Sequence, residues 1–110
     1  MAYDVDLAER VRELLATVEA VDEKRMFGGL AFLVRGHMAV CVSGQGGIMV
    51  RVPAEDTATL LKRAHVEPMI MAGKETRGWV RVAAAGVTTR RQLQSWVDRG
   101  AGCACGLPPK

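Results

Sequence analysis

Aromatic side chains are scarce in this chain: two Phe, two Trp and one Tyr, 5% of 110 residues. That leaves no aromatic set on which successive bases could stack, the usual platform of single-strand nucleic-acid binders. Histidine is as rare, with only His37 and His65, read as turn and helix-end residues in distant segments. No Ser–His–Asp or Cys–His–Asn set can be assembled from them. No pair of carboxylates stands in an apolar context either, so the expectation is a protein that is not an enzyme and needs no cofactor. Three cysteines make an odd number, which does not suit the disulfide framework of a small secreted protein. No apolar run approaches the roughly 18 residues of a membrane span. The start of the chain, MAYDVDLAER, lacks the basic and apolar regions of a secretion signal. A cytoplasmic location without membrane contact follows as the expectation.

What is present is an ordinary globular balance, 49% apolar and 25% charged, enough for one core of two packed layers. The net charge of +3 is unevenly spread. Residues 1–23 hold seven acidic and two basic groups, and the remainder holds thirteen basic and five acidic. The chain beyond its first helix is therefore distinctly basic, a distribution that attracts phosphate or an acidic partner.

Leu7, Val11, Leu14, Leu15 and Val18 recur at helical spacing and predict a helix over 7–20, with Asp6 and Glu9 at capping-box distance. Three alternating runs follow: KRMFGGLAFLVR, HMAVCVS and GIMVRV. Their short connections predict antiparallel hairpins. Ala54–Ala64 reads as a second helix with Ala58, Leu61 and Ala64 inward. Met69–Met71 reads as a short strand, and GWVRVAAAG as a strand ending at Gly86. Thr88 or Thr89 can cap a last helix that presents Leu93, Trp96 and Val97 and stops at Gly100. The expected order is α-β-β-β-α-β-β-α. The fold class is α+β, a two-layer, five-stranded antiparallel sheet with helices on one face. Residues 1–100 form the domain, and 101–110 are expected to be a flexible tail.

Arg25 before Met26-Phe27-Gly28-Gly29, the turn glycine Gly36, Arg51 ending a strand, Gly78-Trp79-Val80 and the helical pair Leu93 and Trp96 together resemble the TfoX/Sxy N-terminal domain. The likeness runs from about residue 5 to 100, carried by the order and spacing of these features rather than by any one of them. It implies a secretion-chaperone-like fold and a regulatory, competence-related role in bacteria. It supplies no catalytic residues. Longer members of that family carry a second, helical C-terminal domain, for which 110 residues leave no room, so a stand-alone N-terminal domain is expected.

Gly28-Gly29 raises the possibility of a phosphate loop. Such loops need a helix start immediately after the glycines, and here a strand-like run follows. A bend or bulge within one long first strand is the reading preferred. Cys103 and Cys105 are weak candidates for soft-metal or thiol chemistry, short of the four ligands a closed zinc site needs. Strand parity divides the sheet residues in two. Leu30, Phe32, Val34, Val40, Val42, Ile48, Val50, Val80 and Val82 are assigned to the core. Ala31, Leu33, Ala39, Cys41, Met49, Arg51, Trp79 and Arg81 fall on the other face, and full burial of Cys41 in a monomer would argue against this division. A Trp among arginines is interface composition. Met49, Arg51, Trp79 and Arg81 are therefore candidate contacts for a protein partner or a second copy in a homodimer. The alternative is nucleic-acid binding through Lys62, Arg63, Arg90, Arg91 and Arg99, although no recognition-helix signature accompanies them.

Overall fold

In the computed structural model, residues 3–26, 28–71 and 73–107 are described, together with all of their side chains except that of Met71. Helix α1 spans Val5–Leu14. Four strands follow: β1 Val21–Met26, β2 Gly29–Val34, β3 His37–Val42 and β4 Ile48–Arg51. A 3-10 turn at Ala54–Asp56 leads into the short helix α2, Thr57–Leu60. Then come β5 Val66–Met71, β6 Lys74–Val82, a second 3-10 turn at Ala84–Val87 and the long helix α3, Arg90–Cys105. The sheet is antiparallel with the order β1-β2-β3-β4-β6-β5. An α+β fold with an antiparallel sheet is as expected, but the sheet has six strands and not five.

The extra strand comes from the glycine pair. The run expected as one bent strand is a hairpin in which Met26 pairs with Gly29. Only two residues join the strands, and of these Gly28 has a φ of 73°, the left-handed region that tight hairpin turns require. Phe27, the other residue of the family motif at this turn, lies outside the described residues. Gly29 is needed for a different reason: a Cβ there would stand 2.1 Å from the Val42 carbonyl oxygen of β3. The first strand escaped the sequence reading because Val21-Asp22-Glu23-Lys24-Arg25 has no apolar alternation. It is an edge strand, and its charges blunt the edge against pairing with other chains.

Helices α1 and α3 cover one face. Leu7, Ala8 and Val11 of α1 and Leu93, Trp96 and Val97 of α3 are buried with the whole expected core set, Leu30 to Val82. Several boundaries shift for local reasons. The cap of α1 is Asp4, whose carboxylate accepts from the Leu7 amide, rather than Asp6, and the helix ends at Leu14 rather than near residue 20. In the second helix Thr57 and Leu60 are buried and Ala58 is exposed; the helix ends at Leu60, so Ala64, also exposed, lies beyond it. The 3-10 turn delays the start of that helix, and the Thr57 hydroxyl donates to the Pro53 carbonyl and accepts from the Gly78 amide. The strand expected from Gly78 begins at Lys74 and ends at Val82. Thr89 caps α3 in a reciprocal box with Gln92.

The expected tail is also corrected. Helix α3 continues through Cys105, and Ala101 and Ala104 are buried in the core. Gly100, expected as a stop, is a contact point: a Cβ there would meet the Ala39 carbonyl oxygen at 2.6 Å. Small side chains at 100, 101 and 104 let the helix lie directly on the sheet. Residues 108–110 lie outside the described residues.

Arg12 of α1 donates twice to the Glu23 carboxylate of β1, at 2.6 and 2.8 Å, and pins the edge strand to the helix. That hydrogen bond holds the Glu23 carboxyl below its ordinary pKa. A carboxyl lowered in the folded state stabilises it above the ordinary carboxylate range, and the gain is lost as pH falls through the lowered value. Both side chains are substantially exposed, 49% and 35%, so Glu23→Gln should cost no more than about 1 kcal/mol at neutral pH. The difference from the parent should vanish well below about pH 4, which urea melts at the two pH values check. Gly29→Ala should cost more, about 1–3 kcal/mol, in the same melts. Gly28→Asn should cost less than about 1 kcal/mol, because asparagine tolerates the left-handed region.

Candidate functional site

The second face of the sheet carries a separate apolar cluster, and every member of it comes from a strand. Ala31, Cys41, Met49 and Met69 are buried, and Met26, Leu33, Met38 and Trp79 are packed around them and partly exposed. Pairing aligns Lys24, Ala31, Cys41, Met49, Arg81 and Glu67 in one row across all six strands. A second row holds Asp22, Leu33 and Met38, then Arg51 opposite Trp79.

A bulge shapes this face. Phe32 pairs with Val40 and Leu33 with Met38, which leaves Ala39 as an extra residue in β3. The bulge reverses parity beyond it. Ala39, expected on this face, lies instead in the helix-covered core, and Met38 takes its place. Met38 also lies past the last β3–β4 pair, and the Arg51 Nε donates to its carbonyl oxygen at 2.7 Å. The same guanidinium lies 4.8 Å from the centroid of the Trp79 ring, close enough for cation–π attraction. Arg51 thus ties β3, β4 and β6 together on the side away from the helices. Arg81 donates to the Ser43 hydroxyl at 3.2 Å, which steadies the β3–β4 turn.

Of the four expected contact residues, Arg51, Trp79 and Arg81 are half-buried and Met49 is buried under its neighbours. The strand parity of the other members holds, and it holds for Cys41 despite its complete burial, because Cys41 pairs with Ala31 and Met49. Small residues in the middle of a sheet face are shielded by larger ones around them. Complete burial of Cys41 is therefore compatible with its place on the outer face. Burial also pushes the Cys41 thiol up to about 11, an effect partly offset by Arg81.

Met26, Met38 and Met69 were missed by the sequence reading. With Met49, four of the six methionines belong to this cluster; strand parity alone puts Met38 on the opposite face, and Met26 lies on a strand without apolar alternation. Arg25 of the family motif is exposed on the edge strand, Met26 belongs to the cluster, and Gly28 and Gly29 form the turn and close contact described above.

The five basic candidates stand in different local settings. Arg63 and Arg99 both lie over the Trp96 ring, at 5.0 and 5.4 Å from its centroid. Arg90 faces Glu13 of α1 at 3.7 Å. Lys62 and Arg91 are exposed. Cys103 and Cys105 stand two residues apart on α3, a spacing at which helical side chains do not face each other. No group of three or more metal-ligating side chains occurs among the described residues. Burial raises the Cys103 thiol.

A family model for the TfoX N-terminal domain matches residues 13–104. The chain belongs to the TfoX N-terminal domain family. The match takes in both faces of the sheet, from the end of α1 to the last turn of α3. Neither the curated proteins nor the solved structures compared with the chain gave a match. No helix among the described residues is long and apolar enough to cross a membrane.

Thiol reactivity follows from this placement. Cys105 is exposed, Cys103 half-buried and Cys41 buried. Reactivity requires an accessible thiolate, so alkylation of the native protein followed by mass spectrometry should label Cys105 first, Cys103 later and Cys41 only on unfolding.

Proposed function

We propose that this TfoX N-terminal domain is a regulatory, non-enzymatic binding module whose contact surface is the helix-free face of the sheet. One observation carries the reading: a methionine-rich apolar cluster with Trp79 at its margin and Arg51 and Arg81 beside it. Methionine adapts its shape at low cost and is favoured where a surface must repack against a partner. Tryptophan and arginine are the side chains most enriched among energetically dominant contacts. Family membership points in the same direction, toward a regulatory rather than a catalytic domain.

Self-association is the simplest use of such a face, since a two-fold axis brings one patch onto its own copy. The molecule measures 32 × 30 × 28 Å, so one face is of the order of the roughly 800 Å² that each partner contributes to a standard interface. The rows also contain charges of both signs, Lys24, Arg51 and Arg81 against Asp22 and Glu67, which permits pairing between copies. Nucleic-acid binding has less support. Trp96 is only 4% exposed and offers no free ring for a base.

The Trp79→Ala, Arg51→Ala double variant should weaken self-association about tenfold or more, measured by sedimentation equilibrium over a concentration series. A parent protein that stays monomeric throughout, with the variant indistinguishable from it, would remove self-association from the proposal.

A further inference from the structure

Two arginines from different segments converge on one ring. Arg63 follows α2, Arg99 belongs to α3, and both guanidinium groups lie over Trp96. Neither forms an ion pair among the described residues. The Arg99 Nε is shielded from solvent and has no hydrogen-bond partner there. Arg63 is exposed, so its guanidinium, set over the Trp96 ring and without a counter-ion among the described residues, is open to pairing with an anion.

A cleft opens beside Arg63 and Trp96, and Arg99 is not among the residues that line it. It lies between the α2–β5 connection and α3 and is lined by Arg63, His65, Gly86, Gln92, Ser95 and Trp96, with a volume of about 220 Å³. No carboxylate lines it. Its wall is fixed by backbone. His65 has a φ of 68°, and its carbonyl oxygen accepts from the Ala83 amide at 2.8 Å. A Cβ on Gly86 would come within 2.9 Å of the His65 Cβ and 2.8 Å of a Val82 methyl. The 3-10 turn therefore packs tightly against the back of the histidine and holds that residue at the rim. Gln92 is held in place by its capping bond to Thr89.

We propose that this cleft binds a small phosphate-bearing anion. Arg63 supplies the planar fork that matches a phosphate, and the Ser95 hydroxyl and His65 imidazole supply further hydrogen-bonding groups for the remaining oxygens. The volume sets the size of the ligand. It exceeds one phosphate group and falls below the roughly 300–1,000 Å³ of clefts that take drug-sized ligands. With Trp96 almost fully buried, the cleft has no stacking surface for a base. The site is thus suited to a free phosphate or a short phosphomonoester. It lies among residues of the helical layer, apart from the sheet face proposed to bind protein, and does not depend on that proposal.

The test is a titration of the whole chain at fixed ionic strength, followed by amide NMR shifts, with inorganic phosphate in one arm and glycerol phosphate in the other. Saturable shifts at Gly86, Gln92, Ser95 and Trp96 are expected in at least one arm, and the tighter arm identifies the source of the phosphate. Arg63→Gln should weaken binding about tenfold or more. Arg91→Gln removes the same charge from an exposed position of α3 and should change affinity less than about twofold. Shifts that chloride reproduces, an absence of saturation in both arms, or equal weakening by the two variants would overturn the proposal. Unchanged amide dispersion of each variant before titration confirms that it is folded.

Discussion

The bulge at Ala39 couples the two faces of this sheet. One extra residue in β3 turns Ala39 toward the helices and Met38 away from them. On the helical side the Ala39 carbonyl lies against Gly100, where even a methyl group would approach to 2.6 Å. This close approach sets the distance between α3 and the sheet, and with it the packing of Trp96, Val97, Ala101 and Ala104. On the other side the Met38 carbonyl takes the Arg51 hydrogen bond that draws the guanidinium over Trp79. A regular β3 would place Ala39 among the methionines and Met38 on the helical side.

The two layers also divide the chemistry. The helical layer collects the charged devices: Arg12 with Glu23, Arg90 with Glu13, and Arg63 and Arg99 over Trp96. The far face of the sheet collects the methionine-rich apolar cluster, with Lys24, Arg51, Arg81, Asp22 and Glu67 in the same rows. Such a face without a covering helix exposes parts of Met26, Leu33, Met38 and Trp79 to water, which favours association over solvation. The edge strand β1 works the other way, since its run of charges discourages sheet extension. The proposed function accordingly uses this face and not that edge.

Much of the fold was legible because its signals are local. The helix-covered core set from Leu30 to Val82 follows from period-two alternation in strands, and each of those residues is buried there. The Thr89 cap and the Leu93, Trp96, Val97 stripe follow from helical spacing. The misses share one cause. Val21–Met26 has charges where alternation would be needed, so only its pairing with β2 identifies it as a strand. Ala101 and Ala104 are too small to signal burial by their own character, and they are buried because Gly100 brings the helix down. The outer sheet face was legible at Arg51, Trp79 and Arg81, and illegible at Met38, whose side depends on a bulge.

The sequence by itself determined most element types, the family and, Ala39 apart, the division of the expected strand residues between a core face and an outer one, because these rest on periodicity and on the order of short motifs. Only the tertiary structure decided that Gly28 and Gly29 separate two strands rather than bend one. It also decided that the last ten residues begin inside the core, and that Arg63 and Arg99 share one tryptophan. Each of these outcomes depends on which distant backbone lies within a few ångströms: the Val42 carbonyl over Gly29, the Ala39 carbonyl under Gly100, the end of α2 beside α3. Such contacts join residues far apart along the chain, and no local pattern encodes them.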